Sequence, residues 1–184
     1  MVTVLRIGHR INRDKRVTSH LVLVARAFGA KNIVITGDYD SSLIETVKKI
    51  TTEWGGNFKI DISPYEDWEA IILNWKEMKK IIFHLTMYGI NLIDFKNSPF
   101  FSKIQDNPKL LDEIIVIVGG KKVPGKIFYL ADYNIAITNQ PHSEVSALAI
   151  FLEHLIPKVF SLKFQGGKKV IEPSIKGKKG YVKR

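Results

Sequence analysis

The 184-residue chain contains no cysteine. This absence excludes disulfide bonds, thiolate nucleophiles and metal sites built on thiolates. Five histidines remain as strong metal ligands, and they are scattered along the chain. A zinc-dependent mechanism would need such ligands in a cluster, so we expect no metal site.

Long apolar runs are also missing. Apolar residues make up 45% of the chain, but no run approaches the roughly 18 residues that a membrane-spanning helix needs. The N-terminal segment MVTVLRIGHR lacks the apolar stretch of a signal peptide. We therefore expect a soluble cytoplasmic protein with no membrane partner, of a size that suits one domain with or without an appendage.

Several catalytic motifs are absent as well: a G-x-S-x-G nucleophile elbow, an H-E-x-x-H metal helix and a glycine fingerprint for a dinucleotide. The segment GKKVPGKI at residues 120–127 approaches a phosphate-binding loop, in which backbone amides and a lysine surround phosphates. Ile127, however, stands where serine or threonine would bind magnesium, and Pro124 removes an amide donor. The sequence therefore argues against a nucleoside triphosphatase.

Positive charge is abundant, with 28 lysines and arginines against 18 acidic residues and a formal net charge of +10. It concentrates in two zones, the run HRINRDKR at residues 9–16 and the C-terminal tail. The basic residues of the tail are Lys163, Lys168, Lys169, Lys176, Lys178, Lys179, Lys183 and Arg184. Two separate zones indicate a polyanionic partner such as nucleic acid. The alternative is a lysine-rich surface that serves solubility or stability to heat.

Short apolar runs alternate with helical stretches, which is typical of an α/β domain. Strands are predicted at residues 3–7, 32–36, 58–62, 80–84, 114–118 and 133–137. The run IIVIV at residues 114–118 indicates a strand buried on both faces, as in a parallel sheet. A long connection with some helix is predicted for residues 91–112.

The first helix is predicted to begin at Thr18 or Ser19 and to stop at Gly29. Arg26 is the one charge in its apolar run, so it either extends along an edge or points into a site. Near the C-terminus, VFSLKF and KKVIEP read as two hairpin strands around Gly166 and Gly167. The final KGKKGYVKR is predicted to be a flexible arm.

The segment ADYNIAITNQPHSEVSALAI at residues 131–150 is the most informative in the chain. It reads as a strand, a polar turn at Thr138, Asn139 and Gln140, and a helix opened by Pro141. The apolar stripe of that helix consists of Val145, Leu148, Ala149, Leu152 and Leu155. Residue chemistry alone leaves two interpretations open, an ordinary connection or a binding loop.

The chain resembles the archaeal tRNA (cytidine-56-2'-O)-methyltransferases of the SPOUT superfamily. The resemblance rests on four blocks in order along the chain. These are LRIGHRINRDKRVTSHLVLVARAFGA at residues 5–30, HLTMYGI at 84–90, IVIVGGKKVP at 115–124 and ADYNIAITNQPHSEVSALAIFL at 131–152. One block alone would be a weak signal, whereas four in sequence are specific.

This resemblance implies an α/β fold with a mostly parallel sheet, helices on both faces and a deep C-terminal trefoil knot. The knotted domain would span residues 1–156, with a basic extension at 157–184. The implied enzyme is a homodimer that transfers a methyl group from S-adenosyl-L-methionine to the ribose 2'-hydroxyl of cytidine 56 in the tRNA T loop. The alternative is a noncatalytic RNA-binding protein of the same fold.

The resemblance also implies site residues. The cofactor pocket would consist of Leu85, Val118, Gly119, Gly120, Lys121, Lys122, Ala136, Ile137, Thr138, Asn139, Gln140, Pro141, His142 and Ser143. Arg16, in the loop expected before the first helix, is the preferred residue for activating the hydroxyl, with Arg26 in reserve.

Arg10 and Arg13 would hold phosphates of the RNA. A second interpretation remains open for two of the implied cofactor residues. His142 and Ser143 could equally serve the start of a helix. Family members commonly have an acidic residue where this chain has Lys121.

Overall fold

The structure is a computed structural model that describes residues 1–120 and 123–183, with the backbone alone for 181–183. Six strands form a parallel sheet in the order β3-β2-β1-β5-β4-β6. They are β1 (Thr3–His9), β2 (Asn32–Gly37), β3 (Lys59–Ser63), β4 (Ile81–Asn91), β5 (Ile114–Gly119) and β6 (Tyr133–Ala136). The six predicted strands are confirmed, with shifted ends.

Helices connect the strands: α1 (Ile11–Ala27), α2 (Ser41–Trp54), α3 (Trp68–Glu77), α4 (Leu92–Lys96), α5 (Pro99–Asp106), α6 (Ile127–Leu130) and α7 (Glu144–Leu155). The connection predicted for residues 91–112 is mostly helical, because α4 and α5 are followed by a 3-10 turn at Pro108–Glu113. Asn91 and Ser98 cap the two helices with their side chains, so each short helix has its own start signal.

Alternate residues of the strands enter two apolar clusters, one on each face of the sheet. In β5, Ile114, Val116 and Val118 belong to the cluster that also contains residues of α1, α2, α4, α5 and α7. Ile115 and Ile117 pack with α3 and α6 on the other face. All five side chains are buried, which confirms a strand covered on both sides. The trefoil knot stays a prediction, since strand order does not define how the chain threads.

Helix α1 begins at Ile11, and the predicted start at Thr18 or Ser19 is wrong. The backbone N–H of Ile11 donates to Asp38 Oδ2 at 3.0 Å, and Asp14 N–H donates to the Arg10 carbonyl at 2.7 Å. The capping group is therefore Asp38, which follows the carboxyl end of β2. No residue next to the start of the helix signals this cap. Thr18 lies buried within the helix, 3.0 Å from His9 Nδ1. Arg16 is consequently helical rather than in a loop.

The start of α7 also differs from its prediction, since Ser143 rather than Pro141 precedes the first helical residue. The Ser143 hydroxyl accepts a hydrogen bond from Val145 N–H at 3.2 Å. This is an ordinary N-cap, in which a serine satisfies an exposed amide of the first turn. Pro141 belongs to the irregular segment before it.

The predicted hairpin strands are wrong in part. VFSLKF contains a 3-10 turn at Val159–Ser161, and β7 (Lys169–Ile171) pairs antiparallel with β8 (Tyr181–Lys183). The segment predicted to be a flexible arm therefore contributes a strand. Gly166 and Gly167 precede β7 and therefore do not form the turn between β7 and β8. They pack instead against the end of α2: the neighbouring Gln165 carbonyl accepts from Gly56 N–H at 2.8 Å, and a Cβ on Gly167 would overlap the Trp54 backbone.

The residues after α7 pack against the ends of α1 and α2. Arg26 is buried there: its Nη2 donates to the Gly55 carbonyl at 2.6 Å, and its guanidinium lies 4.4 Å from the ring centroid of Phe164. Lys169 Nζ lies 2.9 Å from the Glu53 carboxylate. Of the two interpretations of Arg26, these contacts favour a structural one. The domain boundary at residue 156 stays a prediction.

Replacing Arg26 with methionine should lower the free energy of unfolding by about 1–3 kcal/mol. The variant loses the charged donor to Gly55 and the cation over Phe164. Urea denaturation measures the difference. Arg16→Met is the matched control, because Arg16 is an exposed arginine of the same helix; equal stability of the two variants would refute the structural role of Arg26.

Candidate active site

A cleft of about 800 Å³ lies at the carboxyl ends of β4, β5 and β6. In open α/β sheets, this is the edge at which ligands bind. The cleft is lined by Arg13, Asp14, Val17, His84, Leu85, Thr86, Met87, Tyr88, Val118, Gly119, Gly120, Val123, Phe128, Ile135, Ile137, Gln140, Pro141, His142, Glu144 and Ala147. Each of the four sequence blocks described above contributes residues to it.

One wall of the cleft is an interruption in the pairing of β4 with β6. The two strands pair from Phe83 to Leu85, and the pairing resumes at Ile90 with a shifted register. Residues 86–89 therefore leave the ladder, and residues 86–88 line the cleft. A Cβ on Gly89 would overlap the Asn134 backbone, so the bulge can lie this close to β6 only with glycine there.

The loop after β6 is fastened to this bulge by Asn139. Its Nδ2 donates to the Met87 carbonyl at 2.8 Å and to the Gly89 carbonyl at 3.1 Å. The amide thus satisfies carbonyl groups that the interrupted ladder leaves open. This contact positions the following residues, Gln140, Pro141 and His142, at the cleft.

Gly119, Gly120 and Val123, at the carboxyl end of β5, line the opposite side of the cleft. A Cβ on Gly119 would overlap the Val123 side chain, so Val123 can pack on the backbone at the end of β5 only because Gly119 has no side chain. Gly120 follows and also lines the cleft. Lys121 and Lys122 lie outside the described residues.

Arg6 is a residue of this region that the sequence analysis missed. It is 1% exposed, and its Nη2 lies 3.2 Å from the Glu144 carboxylate in the first turn of α7. Burial lowers the pKa of the Arg6 guanidinium, while Glu144 opposes the shift. Nε and Nη1 have no hydrogen-bond partner among the described residues. A Cβ on Gly120 would lie 3.4 Å from the guanidinium, so Arg6 packs against the backbone of Gly120.

A second buried polar group at the cleft is His84. Its Nδ1 lies 2.9 Å from Asn134 Oδ1, and Asn134 Nδ2 donates to the Phe128 carbonyl at 2.8 Å. Because the Asn134 oxygen must accept, His84 Nδ1 carries the proton and Nε2 is the acceptor nitrogen. Burial lowers the pKa of His84 against the opposing effect of the Asn134 hydrogen bond, which keeps the ring neutral near pH 7.

The predicted cofactor residues separate into two groups. Those that line the cleft are Leu85, Val118, Gly119, Gly120, Ile137, Gln140, Pro141 and His142. Ala136 is buried in β6, Ser143 caps α7, and Asn139 fastens the loop. Neither these three nor Thr138 is among the described lining residues.

The predicted arginines lie along α1. Arg13 lines the cleft, and Arg10 Nε donates to Asp14 at 3.2 Å on the exposed turn beside it. Arg16 is exposed and is not among the described lining residues. Arg26 is separated from Arg13 by about 20 Å of helix, at a rise of about 1.5 Å per residue. Within the described residues there is no cluster of side chains that could hold a metal ion and no helix long and apolar enough to cross a membrane.

Two solved structures of similar fold are RNA-modifying or SpoU-type enzymes by their descriptions. The SpoU methyltransferase AviRb from Streptomyces viridochromogenes, in complex with the cofactor AdoMet, aligns over 88% of this chain with a TM-score of 0.58 and 12% identity. The chain spans 58% of the length of that structure. The A. aeolicus TrmH/SpoU tRNA modifying enzyme aligns over 84% of this chain and 72% of its own, with a TM-score of 0.53 and 14% identity. The fold is therefore that of the SpoU/TrmH class.

Sequence comparison identifies the family within that class. A family model described as tRNA ribose 2'-O-methyltransferase, aTrm56, matches residues 54–181. The tRNA (cytidine(56)-2'-O)-methyltransferase of Thermococcus kodakarensis is 44% identical over 180 residues, which are 97% of this chain and 96% of that protein. The protein of the same name from Thermofilum pendens is 45% identical over 178 residues, with coverages of 96% and 93%. The chain belongs to the aTrm56 family of tRNA ribose 2'-O-methyltransferases.

The neutral state of His84 predicts a pH dependence of stability. Because burial depresses its pKa in the folded state, the unfolded chain binds more protons below about pH 6.5, and stability falls as the pH falls. His9 contributes in the same direction, since burial lowers its pKa as well. Each histidine can add a slope of up to about 1.4 kcal/mol per pH unit.

Urea denaturation of the His84→Gln variant between pH 7.5 and 5 measures this contribution. The variant should lose stability less steeply than the unmodified chain on acidification. Asn12→Ala, which removes an exposed and non-titrating side chain of α1, should keep the original slope. An unchanged slope in His84→Gln would contradict a depressed pKa.

Proposed function

We propose that this chain transfers a methyl group from S-adenosyl-L-methionine to the ribose 2'-hydroxyl of cytidine 56 in tRNA. The observation that carries the proposal is that four separated blocks, each resembling the family, contribute to a single cleft. Arg13, Leu85, Gly119 and His142 each come from a different block, and all four line it. The near full-length similarity to tRNA (cytidine(56)-2'-O)-methyltransferases supports the same activity.

The described residues of the cleft fit the proposed cofactor. Its volume of about 800 Å³ lies within the usual range for small-molecule sites. Gly119 and Gly120 let backbone amides and carbonyls approach a ligand closely. The walls around them include apolar side chains such as Leu85 and Ile137. We assign the cofactor to the predicted residues that line the cleft. When bound, S-adenosyl-L-methionine supplies a methyl group on a positively charged sulfur.

The residues of α1 would act on the substrate. A ribose hydroxyl is a weak nucleophile until its proton leaves, so a cation near the oxygen favours the developing negative charge. A guanidinium stays protonated and therefore acts electrostatically rather than as a base. We propose Arg16 for this role, with Arg10 and Arg13 binding phosphates. Arg13 is the alternative activating residue because it lines the cleft directly.

We also propose that the enzyme is a homodimer that works in the cytoplasm. Helix α7 packs against α1 beside the cleft, and its Ile150 is 42% exposed. Together with the exposed Leu23 of α1, Ile150 leaves more than one apolar side chain of this helix pair free for a contact with a second copy. The basic extension at residues 157–184 would add charge for tRNA binding. Sedimentation of the purified chain tests the dimer, which a monomer at micromolar concentration would contradict.

Incubation of the chain with methyl-labelled S-adenosyl-L-methionine and an unmodified tRNA transcript tests the proposed function. One methyl group per tRNA should appear, and nucleotide mapping should locate it on the ribose of cytidine 56. A transcript with 2'-deoxycytidine at that position is the matched control and should accept no label. Label on a base would contradict ribose chemistry, and absence of both cofactor binding and label would favour a noncatalytic RNA-binding protein.

Alanine variants of the arginines separate their roles. Arg16→Ala should lower kcat by about a hundredfold, as is typical when one group that stabilises developing charge is lost, while cofactor affinity stays within about twofold. Arg13→Ala should chiefly raise KM for tRNA. Lys15→Ala, an exposed cation of the same turn, should change kcat little. The reverse pattern, with kcat lost in Arg13→Ala and kept in Arg16→Ala, would transfer the activating role to Arg13.

A further inference from the structure

A second cleft, of about 410 Å³, lies at the carboxyl ends of β2 and β3. It is lined by Gly37, Asp38, Tyr39, Ile62, Ser63, Pro64, Tyr65 and Glu66. None of these residues belongs to the four sequence blocks. Because the strands of the sheet are parallel, this cleft opens at the same end of the strands as the cleft at β4, β5 and β6.

Two exposed tyrosines line the second cleft, which we call the tyrosine cleft. Tyr39 is 67% exposed and Tyr65 is 43% exposed. The Tyr65 ring lies against β1, where a Cβ on Gly8 would be 3.7 Å from Cε2. Exposed aromatic faces of this kind stack with unpaired bases in proteins that bind single-stranded RNA, at about 1–3 kcal/mol per base.

The polar groups of the tyrosine cleft fit a base better than a phosphate. Asp38 and Glu66 contribute carboxylates to the lining, and these repel phosphate groups. Carboxylates accept hydrogen bonds from the amino groups of bases. Asp38 is already held in place, since its Oδ2 accepts from the Ile11 N–H at 3.0 Å. The expected ligand is therefore an unpaired base with an amino group: guanine, adenine or cytosine.

Positive charge for the adjoining phosphates lies next to the cleft. The hydrogen bond from Ile11 to Asp38 places the first turn of α1 at its rim. That turn carries Arg10 and Arg13, and Arg13 also lines the cleft at β4, β5 and β6. Strands β2 and β5 flank β1, which separates them by about 10 Å. The basic turn thus lies between the two clefts, within the span of a few nucleotides.

We propose that the tyrosine cleft binds an unpaired base of the substrate tRNA, a few nucleotides from the methylated ribose, through stacking on Tyr39 and Tyr65. The inference rests on the proposed function, because it takes tRNA as the substrate. It adds a second point of recognition, separate from the methyl-transfer site. A base held there would fix which ribose reaches the first cleft.

The affinity for unmodified tRNA, measured by fluorescence anisotropy without cofactor, tests this site. Tyr39→Ala and Tyr65→Ala should each weaken binding by about 5- to 150-fold, the equivalent of 1–3 kcal/mol. Tyr39→Phe and Tyr65→Phe keep the stacking face and should bind within about twofold of the unmodified chain. Met78→Ala removes an exposed apolar side chain near the amino end of β4, at the other end of the strands. It should leave the affinity for tRNA unchanged.

Abasic substitutions in the tRNA loops identify the bound base. One abasic position should weaken binding to the unmodified chain and have no further effect on the Tyr39→Ala/Tyr65→Ala variant, as a shared contact requires. Unchanged tRNA affinity in both alanine variants, with unchanged melting temperature, would overturn the proposal. Equal losses at every abasic position in both proteins would also overturn it. Methylation by the unmodified chain tests the proposed function independently of these affinities.

Discussion

The candidate active site depends on the close approach of backbone segments at the carboxyl ends of β4, β5 and β6. Glycine permits this at two places: Gly119 packs against Val123, and Gly89 packs against the backbone of β6. Asn139 then bridges the bulge and the following loop with two hydrogen bonds. Two positions without a side chain and one bridging amide therefore shape the cleft, and apolar and polar side chains line it.

Two buried polar groups lie at this cleft, and one of them, Arg6, adds a cost in stability. Arg6 is nearly enclosed, with one carboxylate at 3.2 Å and two nitrogen atoms without partners among the described residues. Unpaired donors of this kind cost about 1–3 kcal/mol each in a protein interior. His84 avoids that cost by staying neutral and bonding to Asn134. His84 lines the cleft, whereas Arg6 lies beside Gly120 of its lining, and at both positions the apolar packing of the sheet gives way to polar contacts.

The predictable parts of the fold are those with local causes. The six strands follow from short apolar runs, and the burial of β5 on both faces follows from IIVIV. The start of α1 was not predictable, because its capping group, Asp38, is 27 residues away in sequence. The hairpin was misplaced because Gly167 packs against α2 instead of forming a turn. In each case, a contact between distant segments overrode a local signal.

The same distinction holds for the site. Motif resemblance selected Leu85, Val118, Gly119 and His142, which do line the cleft. It missed the wall formed by residues 86–88, because an interrupted ladder is a property of pairing between strands. Arg6 left one usable signal, an arginine in the middle of an apolar strand. The tyrosine cleft left none, since Tyr39 and Tyr65 become neighbours only through the parallel pairing of β2 with β3.

Calorimetric titration of S-adenosyl-L-methionine into three forms of the chain tests most directly whether the glycine-built cleft is the cofactor site. The unmodified chain should bind one cofactor per chain. Gly119→Ala should bind at least about tenfold more weakly, because its methyl group would displace Val123. Gly125→Ala, where a Cβ would meet no atom within 4 Å, should bind normally. Equal cofactor affinity in all three proteins would contradict the account.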